Sequence, residues 1–339
     1  MDFNRLFPLS SLYFEPLSGR AVDSHVEHRR LGFVALARRH ASHLVGLRCS
    51  STVGNYLTAL RSFSSFLGGT DVSLGAVTSR LVCGYARWLA DRGVTRNTAS
   101  CYLRSLRTLY RAVGSHARGG GNRPFADVFT GNVPTAKRAA SVADMRRICS
   151  LRLPKGSRLQ LAQDLFVFSF CAMGMPFVDV VRLRRSQVRG RYMVYTRQKT
   201  GRSVVVRIEP CMRAILRRYE SCGGDYAFPV LPQGVVGEAL HRAYLTALGR
   251  YNRALKRLAV LAGVAGRLSS YVPRHTWATQ AYAHRVEMAV IAQALGHANT
   301  RTTWTYVRQT GNGVLAAANR KIIREIVLHT SGKEVFSSA

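Results

Sequence analysis

Five side chains in the C-terminal half of the sequence could do chemistry together if the fold brings them to one place. Lys199 lies in the segment RQKTGR, and a lysine at the tip of a hairpin can reach into a groove and carry a mobile proton. Arg274 and His275 open a segment with helical spacing, where the positive end of a helix dipole favours a bound anion. His297 and Tyr306 both lie in LGHANTRTTWTYVR. Alone, Lys199, His297 and Tyr306 are each more often a solvated or structural side chain, and Arg274 with His275 fits an anion site and an ordinary basic first turn equally well. Only their combination indicates a site.

A unit of helices with a small sheet must position these side chains. Ser141 can cap a helix that opens at Val142, and Leu161–Met175 is so apolar that it predicts a buried helix. Tyr192–Thr196 and Ser203–Ile208 are short β-rich runs on either side of RQKTGR, which predicts a hairpin. Helical spacing predicts further helices at about 210–222, 236–263, 274–285, 287–295 and 312–327.

The N-terminal part of the sequence predicts four helices. Thr95 or Asn97 can cap the last of them, in which Arg104, Arg107 and Arg111 form a basic stripe away from the apolar face. Such a stripe is a candidate contact for nucleic acid. The four helices are predicted at Ser24–Cys49, Thr52–Leu67, Ser79–Arg92 and Asn97–Val113.

Together these elements predict a mainly α chain of two domains. We assign residues 1–20 to an arm rich in proline, serine and glycine, and residues 21–115 to the four-helix unit. Residues 116–140 contain consecutive glycines, two prolines and few apolar periods, which predicts a linker. Residues 141–328 are assigned to the mixed α+β unit, and 329–339 to a tail.

The charge of the chain points to a polyanionic partner. Lysine and arginine number 50 against 17 acidic residues, which gives a formal net charge of +33. A compact body with this excess repels itself unless a polyanion neutralises it, and phosphates do so with release of counterions. The alternative is the ordinary composition of an arginine-rich proteome. Charge alone decides neither between DNA and RNA nor between binding and catalysis.

Cysteine usage and hydropathy argue against several other classes of protein. The seven cysteines are widely spaced and form no CxxC pair, so we expect reduced thiols in a cytoplasmic protein and no metal site. The N-terminal segment MDFNRLFPLS lacks the pattern of a signal peptide. No run of about 18 uncharged apolar residues occurs, so we expect no membrane span.

The order of the candidate residues resembles the catalytic domain of tyrosine recombinases and phage integrases. A hairpin lysine, Lys199, is followed by Arg274 in SYVPRHTWAT, by His297 after Leu-Gly, and by Tyr306. The first unit resembles the helical, SAM-like core-binding domain of this family through SSTVGNYLTALRSFSSFL and NTASCYLRSLRTLYRAV. The phrases GMPFVDVVRL and SYVPRHTWAT look most like integrases on mobile elements of Bacteroidetes-type bacteria.

The resemblance implies cleavage and rejoining of DNA strands without a cofactor or a metal. Tyr306 is the implied nucleophile, which attacks a phosphodiester and forms a 3′-phosphotyrosine. Arg274 is implied to clamp the phosphate, His297 to donate a hydrogen bond to it, and Lys199 to protonate the leaving 5′ oxygen. The arginine stripe and His275 are candidate DNA contacts, although His275 can equally pack beside the site.

The sequence departs from the family pattern at two positions. Pro176 stands where the family has its first arginine, although the acid that follows is present as Asp179. Arg182 or Arg184 could replace that arginine. Losing one phosphate clamp would cost roughly a hundred- to a thousand-fold in rate. Tyr271 stands where a histidine usually precedes the second arginine, and its hydroxyl can still donate a hydrogen bond, so it is a further catalytic candidate.

We therefore expect a site-specific DNA recombinase, an integrase or invertase, that acts on duplex DNA in the bacterial cytoplasm, associated with the nucleoid. It would work as a homotetramer on paired sites, with accessory DNA-bending proteins as candidate partners. The main alternative is a weakened or inactive relative that binds DNA as an accessory protein. An RNA-binding protein would explain the charge but none of the ordered motifs. A type IB topoisomerase shares the chemistry but not the integrase-like phrases.

Overall fold

The computed structural model describes residues 31–45, 50–114, 123–133 and 139–297. By packing, the chain divides into two compact units, one up to Pro134 and the other from Thr135. The described part is mainly helical, with one small sheet in the second unit. The predicted limits of the two domains stay predictions.

The first unit is a group of helices around an aromatic core. Phe33 meets Phe63 edge to face at 6.0 Å between ring centroids, and Phe63 meets Tyr85 at 5.1 Å. The buried Tyr85 hydroxyl donates a hydrogen bond to Ser62 Oγ at 2.7 Å, so the polar end of this ring is satisfied. The α-helices described in this unit are α1 Phe33–His43, α2 Ser50–Phe66, α3 Ser79–Asp91 and α4 Arg96–Val113.

Local hydrogen bonds explain where these helices begin. Thr95 accepts a hydrogen bond from a first-turn amide and caps α4, as one of the two predicted caps. The prediction of a helix over Ser24–Cys49 was wrong at its ends, since residues 31–32 and 44–45 are not helical. The Asp71 carboxylate accepts two amide hydrogen bonds at the start of α1, each at 2.9 Å, and so fixes that start from outside the helix.

Residues 123–133 pack on the first unit, whereas the sequence placed them in the predicted linker. Phe125 is buried in the core of this unit. The Asn97 side chain donates to the carbonyl of Val133 at 2.8 Å and accepts from its amide at 2.7 Å. Since α4 side chains satisfy the backbone of this irregular segment, it is attached to the unit although it forms neither helix nor strand.

The second unit surrounds one apolar helix, as its composition predicted. This helix, Arg158–Cys171, packs against the long helix Gly237–Leu261 and against Val272–Ala283. Ser141 caps the first helix of the unit, as predicted, in a reciprocal pair of hydrogen bonds with Asp144. The described helices are α5 Val142–Ser150, α6 Arg158–Cys171, α7 Phe177–Val181, α8 Pro210–Arg217, α9 Gly237–Leu261, α10 Val272–Ala283 and α11 Met288–Ala294.

The sheet is antiparallel, and its register confirms the predicted hairpin. Its strands are β1 Val188–Arg189, β2 Tyr192–Thr196 and β3 Ser203–Arg207, in that spatial order. Met193 pairs with Val206, and Tyr195 pairs with Val204. These four side chains are buried and anchor the hairpin in the core of the unit, so its turn projects from a fixed base.

Candidate active site

The turn between α6 and α7 presents a backbone carbonyl to the site. Met173 and Gly174 have φ angles of 56° and 71°, so α6 cannot continue to Met175 as predicted. Ser169 Oγ donates to the carbonyl of Met175 at 2.6 Å and holds this turn. Pro176 then caps α7, so the residue at the place of the expected first arginine contributes no charge.

Arg274 is held between two backbone carbonyls. It lies in the first turn of α10 and is 2% exposed. Its Nη1 donates to the Gly174 carbonyl at 2.9 Å, and its Nη2 donates to the Leu295 carbonyl at 2.7 Å. A Cβ on Gly174 would lie 2.8 Å from Arg274 Cα, so only glycine allows this approach. The guanidinium group is therefore positioned without a ligand.

The β2–β3 hairpin is tied to the turn that follows α11. Thr200 Oγ1 donates to the carbonyl of Gly296 at 3.4 Å, and Arg202 Nη1 donates to the carbonyl of His297 at 2.9 Å. Lys199 lies in the hairpin turn, as predicted, and is exposed. Its charge is close enough to contribute to lowering the pKa of His297. The hairpin thus brings a mobile cation to the histidine.

Asp179 attaches the other side of the hairpin to α7. Its Oδ1 accepts from the amide of Gln198 at 3.0 Å, and its Oδ2 accepts from Arg197 Nε at 3.3 Å. Burial raises the pKa of this carboxyl, while the Gln198 amide, Arg197 and Arg274 act in the opposite direction. Arg197 is itself 5% exposed, and its Nη1 also donates to the Leu295 carbonyl.

His297 is buried and uncharged at neutral pH. Burial first, and then the charges of Arg274, Arg197 and Lys199, lower its pKa to about 4. Its Nε2 lies 2.9 Å from Arg274 Nη2, and because a guanidinium group only donates, this nitrogen must accept. To donate a hydrogen bond to a phosphate through the same nitrogen, the ring must change tautomer or gain a proton when the anion arrives.

The structure therefore brings Arg274, His297 and the hairpin of Lys199 to one place. Tyr306, the predicted nucleophile, lies outside the described residues, as does the predicted helix at 312–327. The roles assigned from the sequence stay predictions.

Tyr271 and His275 lie at the N-terminal end of α10, the helix that carries Arg274. Tyr271 is the N-cap residue of the helix and is 51% exposed. Its ring centroid lies 6.4 Å from that of His275, which is half-buried. Tyr271 is therefore accessible to a ligand, whereas His275 is partly packed.

Sequence reasoning did not single out Arg197, although a signal was present. Alternate residues of β2 face the core, and Met193 and Tyr195 are buried. The same parity puts Arg197 on the inward face, and a charge on an inward face needs a partner or a function. Of the two residues considered instead, Arg182 donates from its Nη1 to the side chain of Gln198 in the same hairpin at 2.9 Å. The exposed Arg184 lies 3.7 Å from an Asp225 carboxylate oxygen.

Two of the three arginines in the predicted basic stripe of the first unit are hydrogen-bonded within the unit, and the third is exposed. Arg104 Nη1 donates to the carbonyls of Thr130 and Gly131 at 3.3 and 3.1 Å, and Arg107 Nη1 donates to the Thr130 hydroxyl at 3.0 Å. These two arginines help to hold the segment 123–133. Arg111, one turn further along α4, is exposed.

Two kinds of feature are absent from the residues that the structure describes. None of their helices is both long enough and apolar enough to cross a bilayer. No group of three histidine, cysteine or acidic side chains within them is arranged to hold a metal ion.

Comparisons with solved structures show the fold. A lambda integrase dimer bound to a COC′ core site is 15% identical, with a TM-score of 0.62, covering 83% of this chain and 97% of that one. An integrase of the Tn1549 transposon in complex with transposon right end DNA is 13% identical, with a TM-score of 0.62, covering 88% of this chain and all (100%) of that one. A lambda integrase tetramer bound to a Holliday junction is 14% identical, with a TM-score of 0.61, covering 86% and 82%. A search by sequence found no match among curated proteins.

Family models match both units. The model of the phage integrase family matches residues 153–312, which include the hairpin, Arg274 and His297. The model of the phage integrase SAM-like domain matches residues 32–113, which include α1–α4. The resemblance to Bacteroidetes-type elements stays a prediction. With both family models and the fold in agreement, the chain belongs to the phage integrase family and is a tyrosine recombinase.

Proposed function

We propose that this recombinase cuts and rejoins duplex DNA at specific sites through a 3′-phosphotyrosine formed on Tyr306. The observation that carries the proposal is the buried Arg274, which is fixed by two carbonyls and lies beside the neutral His297 and the hairpin of Lys199. A cation fixed in a site that excludes water stabilises the charge that develops on a reacting phosphate more than a mobile one does.

The proposed residues divide the reaction between them. The Tyr306 oxygen attacks phosphorus and loses its proton to a water molecule, while the bond from phosphorus to the 5′ oxygen breaks. Lys199 supplies a proton to that 5′ oxygen. Arg274 binds the non-bridging oxygens, and His297 and Tyr271 donate hydrogen bonds to them. The 5′ hydroxyl of a second strand then reverses the step. The phosphotyrosine conserves the bond energy, so neither a nucleotide nor a metal enters the reaction.

The proposed partner is double-stranded DNA, and the proposed assembly is a homotetramer on two paired sites. The net charge of +33 supports a phosphate-rich partner. Solved integrases that share the fold are dimers and tetramers bound to DNA. The exposed Arg111, with Arg104 and Arg107, is the candidate backbone contact of the first unit. Accessory DNA-bending proteins and a place in the nucleoid belong to the same proposal.

A suicide substrate tests this function directly. The protein is incubated with a pool of duplexes of randomised sequence that carry a nick just 3′ of a fixed phosphate, so that the short 5′-hydroxyl strand diffuses away after cleavage. We expect a covalent protein–DNA adduct that survives denaturation, and sequencing of the trapped strands identifies the site.

Two controls decide between catalysis and binding. Tyr306→Phe should bind the recovered duplex as tightly as the wild type and form no adduct. Binding without an adduct by the wild type would instead support an inactive, DNA-binding relative. Equal amounts of adduct from wild type and Tyr306→Phe would exclude Tyr306 as the nucleophile.

A further inference from the structure

We propose that Arg197 is a catalytic residue that supplies the second phosphate-binding guanidinium group of this site, in place of the arginine that Pro176 does not provide. The inference rests on the proposed function, since it concerns the same reacting phosphate. It is carried by the position of Arg197 on the inward face of the hairpin, beside Arg274.

Arg197, like Arg274, is held by hydrogen bonds from its guanidinium group. Its Nε donates to the Asp179 carboxylate at 3.3 Å, and its Nη1 donates to the carbonyl of Leu295. A Cβ on Gly296 would lie 2.8 Å from Arg197 Cδ, just as one on Gly174 would meet Arg274. The aliphatic part of each arginine thus lies against a glycine with positive φ that leaves room for it.

The two guanidinium groups are close to each other. Arg197 Nη1 and Arg274 Nη2 both donate to the carbonyl oxygen of Leu295, so the two guanidinium groups share one acceptor. Two like charges at this separation, both at most 5% exposed, repel each other in a medium of low dielectric constant. Such a pair is favourable only when negative charge lies nearby.

Within the described ranges of the chain, the negative charge near these arginines does not balance them. Among the described residues, Asp179 is the one carboxylate that is hydrogen-bonded to this group, and His297 is uncharged. The exposed Lys199 adds a further positive charge at the rim. The group therefore carries a surplus of positive charge, and a bound anion would remove the repulsion between the two arginines.

Arg197 also retains donors for such an anion. Within the part of the chain that the structure describes, its Nε and Nη1 donate hydrogen bonds, and its Nη2 donates none. A guanidinium group has N–H donors in a fixed fork that fits phosphate oxygens. A pentacoordinate phosphate has two non-bridging oxygens with developing charge, and one arginine can be aimed at each. Asp179, three residues after Pro176, accepts from Arg197 and so fixes the position of this cation.

The rival explanation is that Arg197 only fastens the hairpin to α7 and α11. The two roles differ in how they respond to the charge of the phosphate. In a methylphosphonate, one non-bridging oxygen is replaced by a methyl group, so the reacting group carries one negative charge fewer. If Arg197 acts on the phosphate, its removal should lower the rate less on the methylphosphonate than on the phosphate. If Arg197 only stabilises the hairpin, its removal should lower the rate equally on both substrates.

The test compares adduct formation on two versions of the duplex recovered with the randomised pool, one with a phosphate and one with a methylphosphonate at the scissile position. We expect Arg197→Ala to lower the rate on phosphate by about a hundred- to a thousand-fold, and the rate on methylphosphonate by less than about tenfold, each relative to wild type on the same substrate. Arg184→Ala, at an exposed position, is the matched control and should change neither rate. Equal losses of Arg197→Ala on both substrates would overturn the proposal.

A second variant covers the case in which Arg197→Ala does not fold. Arg197→Lys keeps a cation at the same place but lacks the fork, so it should fold and show a smaller loss that is again confined to the phosphate substrate. Thermal melting of each variant reports folding independently. If Arg182→Ala shows the substrate-dependent loss and the Arg197 variants do not, the second cation is Arg182.

Failure of this inference is distinguishable from failure of the proposed function. If the wild type forms no adduct on either substrate, the function itself is wrong. If the wild type forms an adduct and the Arg197 variants lose equally on both substrates, the function holds and Arg197 is a fastening residue.

Discussion

The arginines of the two units are in different physical states. In the second unit, Arg197 and Arg274 are 5% and 2% exposed and donate to backbone carbonyls and a buried carboxylate. In the first unit, Arg111 is exposed on α4, while Arg104 and Arg107 are half-buried against an irregular segment. Arginine is therefore buried and fixed at the site of the second unit, whereas on α4 of the first unit it ranges from half-buried and hydrogen-bonded to solvated at Arg111.

The difference indicates what each region is suited to do. A buried guanidinium group is costly to desolvate, but it is already oriented for charge that develops at one point. A solvated arginine interacts with any phosphate within reach and is screened by salt. We therefore expect substitutions of the buried arginines in the second unit to lower the rate of cleavage. Substitutions of the solvated arginine in the first unit should lower the affinity for DNA.

The largest expected effect is that of Arg274→Lys. Lysine keeps the charge, but one ammonium group cannot span the carbonyls of Gly174 and Leu295 while it faces a phosphate. We expect the rate of adduct formation to fall by about a hundred- to a thousand-fold, or about 3 to 4 kcal/mol in barrier, with DNA affinity changed less than about threefold. Single-turnover kinetics at saturating enzyme measure the rate. A fall in affinity that accounts for the whole loss would contradict a transition-state role.

The next effect is a loss of stability in acid that depends on His297. Its pKa is about 4 in the folded chain, below the value of about 6.5 expected when unfolded, so the unfolded state binds more protons between these values. The free energy of unfolding that depends on a neutral His297 is fully present above about pH 6.5. It is lost as the pH falls towards 4, and the loss reaches about 3 kcal/mol. Urea unfolding at pH 7 and pH 4.5 should show a larger loss for wild type than for His297→Gln. Equal losses would show that the histidine is not held neutral.

A smaller effect is expected on stability when alanine replaces glycine in the turn of the site, at Gly174, compared with an ordinary turn, at Gly156. Gly174 and Gly156 have φ angles of 71° and 73°, but a Cβ on Gly174 would lie 2.8 Å from Arg274, while one on Gly156 would meet nothing within 4 Å. Gly156→Ala should cost about 1 kcal/mol of unfolding free energy, from its conformation alone. Gly174→Ala should cost about 2 kcal/mol more, because its methyl group must displace the arginine. Denaturant unfolding measures both, and equal costs would show that the approach is not tight.

Much of the fold could be predicted from the sequence because its signals are local. Ser141 and Thr95 are caps that act within one helical turn, and the alternation in β2 and β3 fixes a hairpin with its turn at RQKTGR. The end of α6 was misjudged, because apolar residues continue through the turn to Met175 and only the backbone angles at Met173 show the break.

The site could be predicted only in part, because its contacts are remote in sequence. Arg274, His297 and Lys199 were found through the order of motifs, which a family resemblance supplies. The place of Arg197 depends on Leu295 and Asp179, which lie far along the chain on either side. No local pattern reports such a contact, although the parity of β2 indicates that the side chain faces inward.

The smallest expected effect is that of changing Arg111, and it completes the comparison with Arg274. Arg111→Lys keeps a solvated charge, so DNA affinity should change by less than about twofold, in contrast to the large loss expected of Arg274→Lys. Arg111→Gln removes the charge, so the slope of log affinity against log salt should fall by about 0.9, because one phosphate fewer is neutralised. The rate of adduct formation at saturating DNA should not change in either variant. Titrations at several salt concentrations measure the slope. A slope that is unchanged in Arg111→Gln would mean that this face of α4 does not touch the DNA backbone, and the grip of the first unit would then have to come from another of its surfaces.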